Sequence, residues 1–457
     1  MKLNRRISWL VRIAVALFGL LLVFYLGMVA LLSTAWSHRV MARYVVGRIE
    51  RVTGTRAEIA WLDVHPAVFR MILHGLVLHG NEGPDQKPLL TAGIVDVTLN
   101  PVLLAARRLY IRRIDVVRLT VHGYTAADGS TNLPGPKQGR NPEESVLVPD
   151  LLNLRVRDFS LNHSALYWNS QRIPLNFAAQ DLALLLSLGP GQAYTGSFSS
   201  SSLRCRVPGR VLPSVAVATK INLSAHQLEL SNLVWRTEGG SGTGMATVKL
   251  TDPFNVRLGL AGKASLDSFA PALKLSLIRR GDVRFEATGT YVQGLLHASG
   301  HVDGRNLLAD FGDFKPGLAD ASADFQLTGN HLTLRRINAR ILKGEARGEA
   351  TAELAAAHTR VKFKGTVRGI ELASFIKAIP GGKTASNLLE IDSGLKGSLG
   401  LSYDGGPGEF KAVFDVQGMP QATLPAGFIP VRGSASGSVK IGKGFELHIT
   451  SAQATTP

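Results

Sequence analysis

His74 and His79, in Leu73-His74-Gly75-Leu76-Val77-Leu78-His79, are the residues best suited to metal chemistry. An odd spacing on an extended strand sends two side chains to opposite faces, so the pair cannot share an ion unless a bulge intervenes. Exposed or hydrogen-bonded histidines are the expectation. Asp128-Gly129-Ser130-Thr131-Asn132 sets a carboxylate beside hydroxyls, but Asp-Gly and Asn are also what a tight turn demands. The glycines of Glu238-Gly239-Gly240-Ser241-Gly242-Thr243-Gly244 lack the Lys of a phosphate-binding loop and fall between strands rather than before a helix. Cys205, the single cysteine, rules out an intramolecular disulfide, and Leu203-Arg204-Cys205-Arg206 offers no His or acid to activate a thiolate. No Gly-x-Ser-x-Gly elbow, His-Glu-x-x-His pair or Cys-His set occurs. The expectation is no enzyme, no cofactor and no metal.

The elements that hold these residues are strands. Val256 to Leu266 places Val256, Leu258, Leu260 and Leu266 on one parity and Arg257 and Lys263 on the other. Thr359 to Arg368 does the same with Val361, Phe363 and Val367, and Glu409 to Gln417 with Phe410, Phe414 and Val416. Side chains alternate faces along a strand, so each run has one apolar and one wet face. Runs of this length reach ~33 Å, and stacked at ~4.8 Å they make a long antiparallel sheet. No matching set of helices is visible to cover the apolar face. A sheet that bends over itself encloses that face as a groove, and an uncovered apolar lining is a ligand site. The ten residues just named are its candidate lining.

Residues 13–37 carry no charge and are rich in Leu, Val, Ala and Phe, enough at ~1.5 Å per residue to span a ~30 Å bilayer core. Trp9 and Trp36 sit near the two ends, as interfacial rings do. Ser33-Thr34-Ala35 resembles a cleavage site, but the run exceeds the ~7–15 residues of a signal peptide. A membrane anchor over 13–37 is therefore expected, with a tail over 1–12. Lys2, Arg5, Arg6 and Arg12 on one side match Arg39, Arg43, Arg48 and Arg51 on the other, so charge hardly sets orientation; a short tail inside and a translocated domain is the default. Residues 38–55 read as a basic amphipathic helix against headgroups, ended by Thr53-Gly54.

A net charge of +17 invites a nucleic-acid reading, yet residues 1–56 alone hold nine Lys and Arg against Glu50. The remaining surplus is spread singly along the polar parity of strands. Aromatic residues are only 7% of the chain, too few for a base-stacking surface. Nucleic acid is excluded as a partner.

Beyond residue 56 strands are expected over 57–64, 69–79 and 92–99, then a short helix over 102–107 opened by Asn100-Pro101, then strands over 109–116 and 118–124. The order of Thr53-Gly54, Glu58-Ile59, Leu76-Val77-Leu78-His79-Gly80, Asn100-Pro101-Val102-Leu103-Leu104, Tyr110-Ile111-Arg112-Arg113-Ile114 and Asp128-Gly129…Asn132-Leu133 resembles the N-terminal unit of the AsmA/TamB superfamily. These are inner-membrane-anchored periplasmic proteins of diderm bacteria. On this reading 56–133 is the N-terminal β unit and 134–147, with its Pro, Gly and Asn, is a linker. The strands Leu152 to Leu161, Leu166-Tyr167-Trp168 and Ile173-Pro174-Leu175 restart the sheet, and 148–457 is a repeated β-groove.

Leu228-Glu229-Leu230-Ser231-Asn232-Leu233 aligns with Leu332-Thr333-Leu334-Arg335-Arg336-Ile337, and a further copy opens at Phe445-Glu446-Leu447. Each full copy runs into a helix-like piece, over 266–277 and over Leu372, Phe375, Ile376 and Ile379. The last copy barely begins, so a chain truncated at its C-terminal end is expected. The fold class is thus mainly β: a transmembrane helix, then a repetitive antiparallel sheet curved into an apolar groove, with a few short helices. The resemblance implies a groove that shields acyl chains while headgroups stay in water. The expected function is phospholipid transport between inner and outer membranes, the bulk of the chain lying in the periplasm. An assembly factor for outer-membrane β-proteins, docking a β-barrel partner by strand addition, is the alternative. A carbohydrate-acting enzyme lacks paired carboxylates.

Overall fold

Thr34 caps the helix α1 (Ala35–Thr53), its Oγ1 accepting from the Ser37 amide at 3.3 Å; Gly54, at φ 73°, closes it by donating to Glu50 O at 2.8 Å. The computed structural model describes residues 19, 20, 23, 25, 27, 34–83, 86–100, 110–133, 156–171, 175–207, 210, 211, 213–251, 255–273, 278–292, 295–311, 314–354, 359–378, 391–404, 409–420, 429–441 and 445–455. Most of the expected anchor over 13–37, the helix over 102–107 and the linker over 134–147 lie outside the described residues. Among the described residues no helix is long and apolar enough to cross a membrane.

The chain divides into two compact units, one of residues 1–208 with 216–225, the other of 209–215 with 226–457. In the first, β1 (Ala57–Glu58) and β2 (Trp61–His65) both pair with β3 (Arg70–Leu78). Then come β4 (Leu90–Leu99) and β5 (Ile111–Thr125), antiparallel in turn. β6 (Asp158–Ser170) lies parallel to β5, and β7 (Leu175–Leu188) and β8 (Tyr194–Val207) return to antiparallel pairing. So β5 and β6, which flank 134–147, share one sheet. The two-residue β9 (Arg210–Val211) belongs to the second unit, and β10 (Val215–Leu223) pairs with β8.

The core of this unit is Leu76, Ala92, Val116 and Leu161, against which α1 lays Ile49. The Ala57 amide donates to Glu50 Oε1 at 3.0 Å, tying the helix to β1. A set of left-handed residues, Gly75, Arg118, His163 and Asp181, interrupts β3, β5, β6 and β7; the register shifts there between β6 and β7, and runs on unbroken between β3 and β4. At Gly75, φ is 62° and an added Cβ would lie 2.9 Å from Ala60 Cβ.

The second unit is a meander. β11 (Gln227–Thr237), β12 (Gly240–Lys249) and β13 (Asn255–Ser265) lead to α2 (Leu266–Leu273). β14 (Ile278–Val292), β15 (Leu295–Phe311), β16 (Phe314–Thr328), β17 (His331–Ile341), β18 (Gly344–Leu354) and β19 (Thr359–Glu371) follow, then α3 (Leu372–Ala378). The last strands are β20 (Ile391–Asp392), β21 (Gly394–Asp404), β22 (Glu409–Met419), β23 (Ile429–Pro430), β24 (Arg432–Ile441) and β25 (Phe445–Thr455). From β11 every strand pairs antiparallel with the next, except that β20 and β23 pair only with each other, in parallel.

The repeat is structural. Leu230 pairs with Ala246 and Leu233 with Gly244 across a bulge at Asn232; Leu334 pairs with Ala350 and Ile337 with Gly348 across a bulge at Arg336. Each copy then runs through one further strand, β13 or β19, into a short helix, α2 or α3.

Candidate functional site

Register decides which side chains share a face, because residues directly opposite on paired strands stand side by side. From Leu233 on β11 one row passes through Gly244, Leu260, Ala287, Gly300, Phe325 and Leu334. It continues through Ala350, Phe363, Leu401, Ala412, Val439 and Leu447 on β25. The neighbouring row contains Leu230, Ala246, Leu258, Gly289, Ala298 and Leu327, then Leu332, Ala352, Val361, Tyr403, Phe410, Ile441 and Phe445. Neither row contains a charged residue. On the opposite parity stand Arg257, Lys362, Lys364 and Asp415, all exposed.

The candidate lining residues take up this face with one exception. Val256, Leu258 and Leu260 lie on β13, with Leu258 37% exposed. Val361 and Phe363 lie on β19 in the two rows, and Val367, 8% exposed, lies further along the same parity. Phe410, 5% exposed, gathers Ala412, Val439, Leu401 and Phe414 around it. Val367 and Val416 meet in a second cluster with Ile370, Leu395 and Phe375 of α3. Leu266 does not belong to the face. It is the first residue of α2, with Asp267 in the first turn where a carboxylate favours a helix.

Large rings lie over glycines. A Cβ on Gly242 or Gly262 would come within 2.7 or 2.4 Å of the Trp235 ring, which stacks on Phe285 at a centroid distance of 6.0 Å. Phe363 covers the paired Gly348 and Gly365 in the same way, with added Cβ atoms at 2.9 and 2.6 Å from its Cζ. Trp235, Phe325, Leu399 and Leu401 were not among the sequence candidates, although Leu399-Gly400-Leu401-Ser402-Tyr403 alternates clearly. Among the described residues α2 and α3 are the only helices of this unit. Among the described residues the face is therefore half-buried by its own neighbours rather than by a second layer.

The polar face carries charge pairs. His301 sits between Asp324, whose Oδ1 is 2.7 Å from Nδ1, and Asp303, at 3.4 Å from Nε2. The hydrogen bond to Asp324 raises the imidazole pKa, and the same bond, with Arg336, lowers that of Asp324. All four side chains are wet, so the cluster is an ion network on a solvated sheet.

The residues with chemical promise in the first unit have structural partners. His74 stacks on Trp61 at 4.4 Å and faces Asp63 at 3.2 Å; His79 Nδ1 is 3.0 Å from Glu82. The expectation of opposite faces is corrected. Leu73 and Leu76 are both buried, so the left-handed Gly75 reverses which face the side chains take, without shifting the register against β4, and returns His74 and His79 to one side, each with its own carboxylate. Asp128 Oδ1 accepts from the Ser130 amide at 2.8 Å and from its hydroxyl at 2.7 Å, which lowers the carboxyl pKa. Asn132 Oδ1 accepts from the Tyr124 amide at 2.7 Å while Nδ2 donates to His122 O at 2.6 Å. Asp128 binds its own turn, and Asn132 ties the turn back to β5. No protein-family model matches the chain, and neither does any curated protein.

Proposed function

We propose that the protein is a lipid carrier of AsmA/TamB type, anchored through residues 13–37 in an inner membrane, whose second unit shields acyl chains on its apolar face. The observation that supports this is the pair of uncharged rows crossing every strand from β11 to β25 but the short β20 and β23. A face of that extent, with no second layer behind it among the described residues, needs an apolar partner. Acyl chains gain about 0.8 kcal/mol per buried methylene, need no catalytic group and leave the headgroup in water.

A photo-crosslinking side chain placed at Phe363 or Phe414 in the full chain tests this. Lipid should be captured there, and not at Lys362 or Asp415, one residue away on the other face. Equal labelling on both parities overturns the reading.

A further inference from the structure

At the hairpin joining β17 to β18 the polar face holds a cleft of about 760 Å³, lined by Arg340, Lys343, Arg347 and Arg368 against Asp320 and Glu345. Register sets Asp320, Arg340, Glu345 and Arg368 on one cross-strand row. The acids at this cleft are already engaged. Asp320 Oδ1 accepts from the Asn306 amide at 2.9 Å, Glu345 accepts from Arg347 at 3.0 Å, and Glu371 accepts from Lys343 at 2.8 Å. Arg340 and Arg368 have no hydrogen bond or ion pair among the described residues.

The hairpin is held open at a conformational expense. Leu342 and Lys343, its two corner residues, sit at φ 51° and 63°, where Asn-Gly is the usual choice. Leu342 is kept there by the apolar cluster that includes Phe375, and Lys343 by Glu371. The turn therefore spends Lys343 on Glu371 and leaves the two flanking arginines to face the cleft.

We propose that Arg340 and Arg368 bind a phosphate oxyanion in this cleft. Guanidinium stays charged at any physiological pH and offers paired N–H donors that match two phosphate oxygens, whereas a lysine pair offers only point charges. The two arginines belong to strands on either side of β18, about 9.6 Å apart at ~4.8 Å per strand, a gap that two such side chains close around one phosphate. Ile341 and Leu342, which also line the cleft, give an apolar flank. The oxyanion can come from free phosphate or from a lipid headgroup, and the site stands whether or not the apolar face carries lipid.

Equilibrium binding to the full chain tests the proposal with inorganic phosphate, with phosphatidate vesicles and with neutral diacylglycerol vesicles as probes. Arg340→Gln with Arg368→Gln should weaken phosphate-bearing probes about tenfold or more and leave diacylglycerol unchanged. Arg360→Gln, a charge loss at the Asp404 pair outside the cleft, should change nothing. The double Lys variant, folded by circular dichroism, should bind less well than the parent and better than the Gln variant. Binding of inorganic phosphate that phosphatidate cannot displace assigns the site to free phosphate; displacement by phosphatidate assigns it to a headgroup. Equal affinity of parent and Gln variant for both phosphate probes overturns the site, while loss of lipid capture at Phe363 in the parent overturns the carrier reading alone.

Discussion

Leu260 of β13 and Phe363 of β19 lie on one cross-strand row, connected through Ala287, Gly300, Phe325, Leu334 and Ala350. The two residues belong to corresponding strands of the two repeat copies, so the repeat extends the same surface. Duplication of a strand set preserves parity at each junction, and each added strand lengthens the apolar face without a new core.

Charge on this row should stop lipid capture while the fold survives. Phe363→Asp, Leu258→Asp and Phe414→Asp each put an unpaired carboxylate where an acyl chain lies, at a cost of several kcal/mol when ligand desolvates it. Lipid recovered with the purified full chain should fall by more than about tenfold, with far-ultraviolet circular dichroism unchanged. Full recovery of lipid with these variants would remove the apolar rows from function.

The glycines under the rings make a second prediction. Gly262→Val drives a branched side chain into the space of the Trp235 ring and the Ser241 carbonyl, 2.4 and 2.7 Å from an added Cβ. Overpacking of this sort costs about 1–3 kcal/mol and must displace the indole. Tryptophan fluorescence should shift to the red and the melting temperature should fall, whereas Gly259→Val, with Met245 Cγ 3.5 Å away, should do neither.

Alternation made most of this face legible. β13, β19 and β22 run at period two with charges on the other parity, and the paired hexapeptides mark the same bulge twice. Leu266 was misleading because it continues the parity of Ala264; only Asp267 hints that a helix begins. His74 and His79 misled for the opposite reason. One left-handed glycine reverses a strand, and period counting cannot see it. The cleft at the β17–β18 hairpin is invisible in sequence, since Arg340 and Arg368 come onto one row only through the register of three strands.

His301 gives stability a pH dependence of definite sign. Its hydrogen bond to Asp324 raises the folded-state pKa above the ordinary value of about 6.5. The contribution is therefore full below about pH 6.5 and is lost as pH rises through the folded value. The melting temperature of the parent should exceed that of His301→Gln at low pH by a margin that shrinks toward alkaline pH; a margin that grows would reverse the assignment.

Finally, lipid capture should be indifferent to the polar groups of the first unit. His74→Ala removes a stack on Trp61 and a contact with Asp63, and His79→Ala removes a partner of Glu82. Asp128→Ala frees the Ser130 amide in an exposed turn. The two His changes should lower stability by about 0.5–1.5 kcal/mol, the net worth of a single hydrogen bond, and all three changes should leave photo-crosslinking at Phe363 within about twofold of the parent. His74 binds side chains of the adjacent β2, and His79 and Asp128 bind within their own turns, whereas the apolar rows belong to the second unit. If the three Ala variants stay folded and membrane-localised but lose capture, while Phe363→Asp retains it, a chemical site must be sought among β1 to β5 instead.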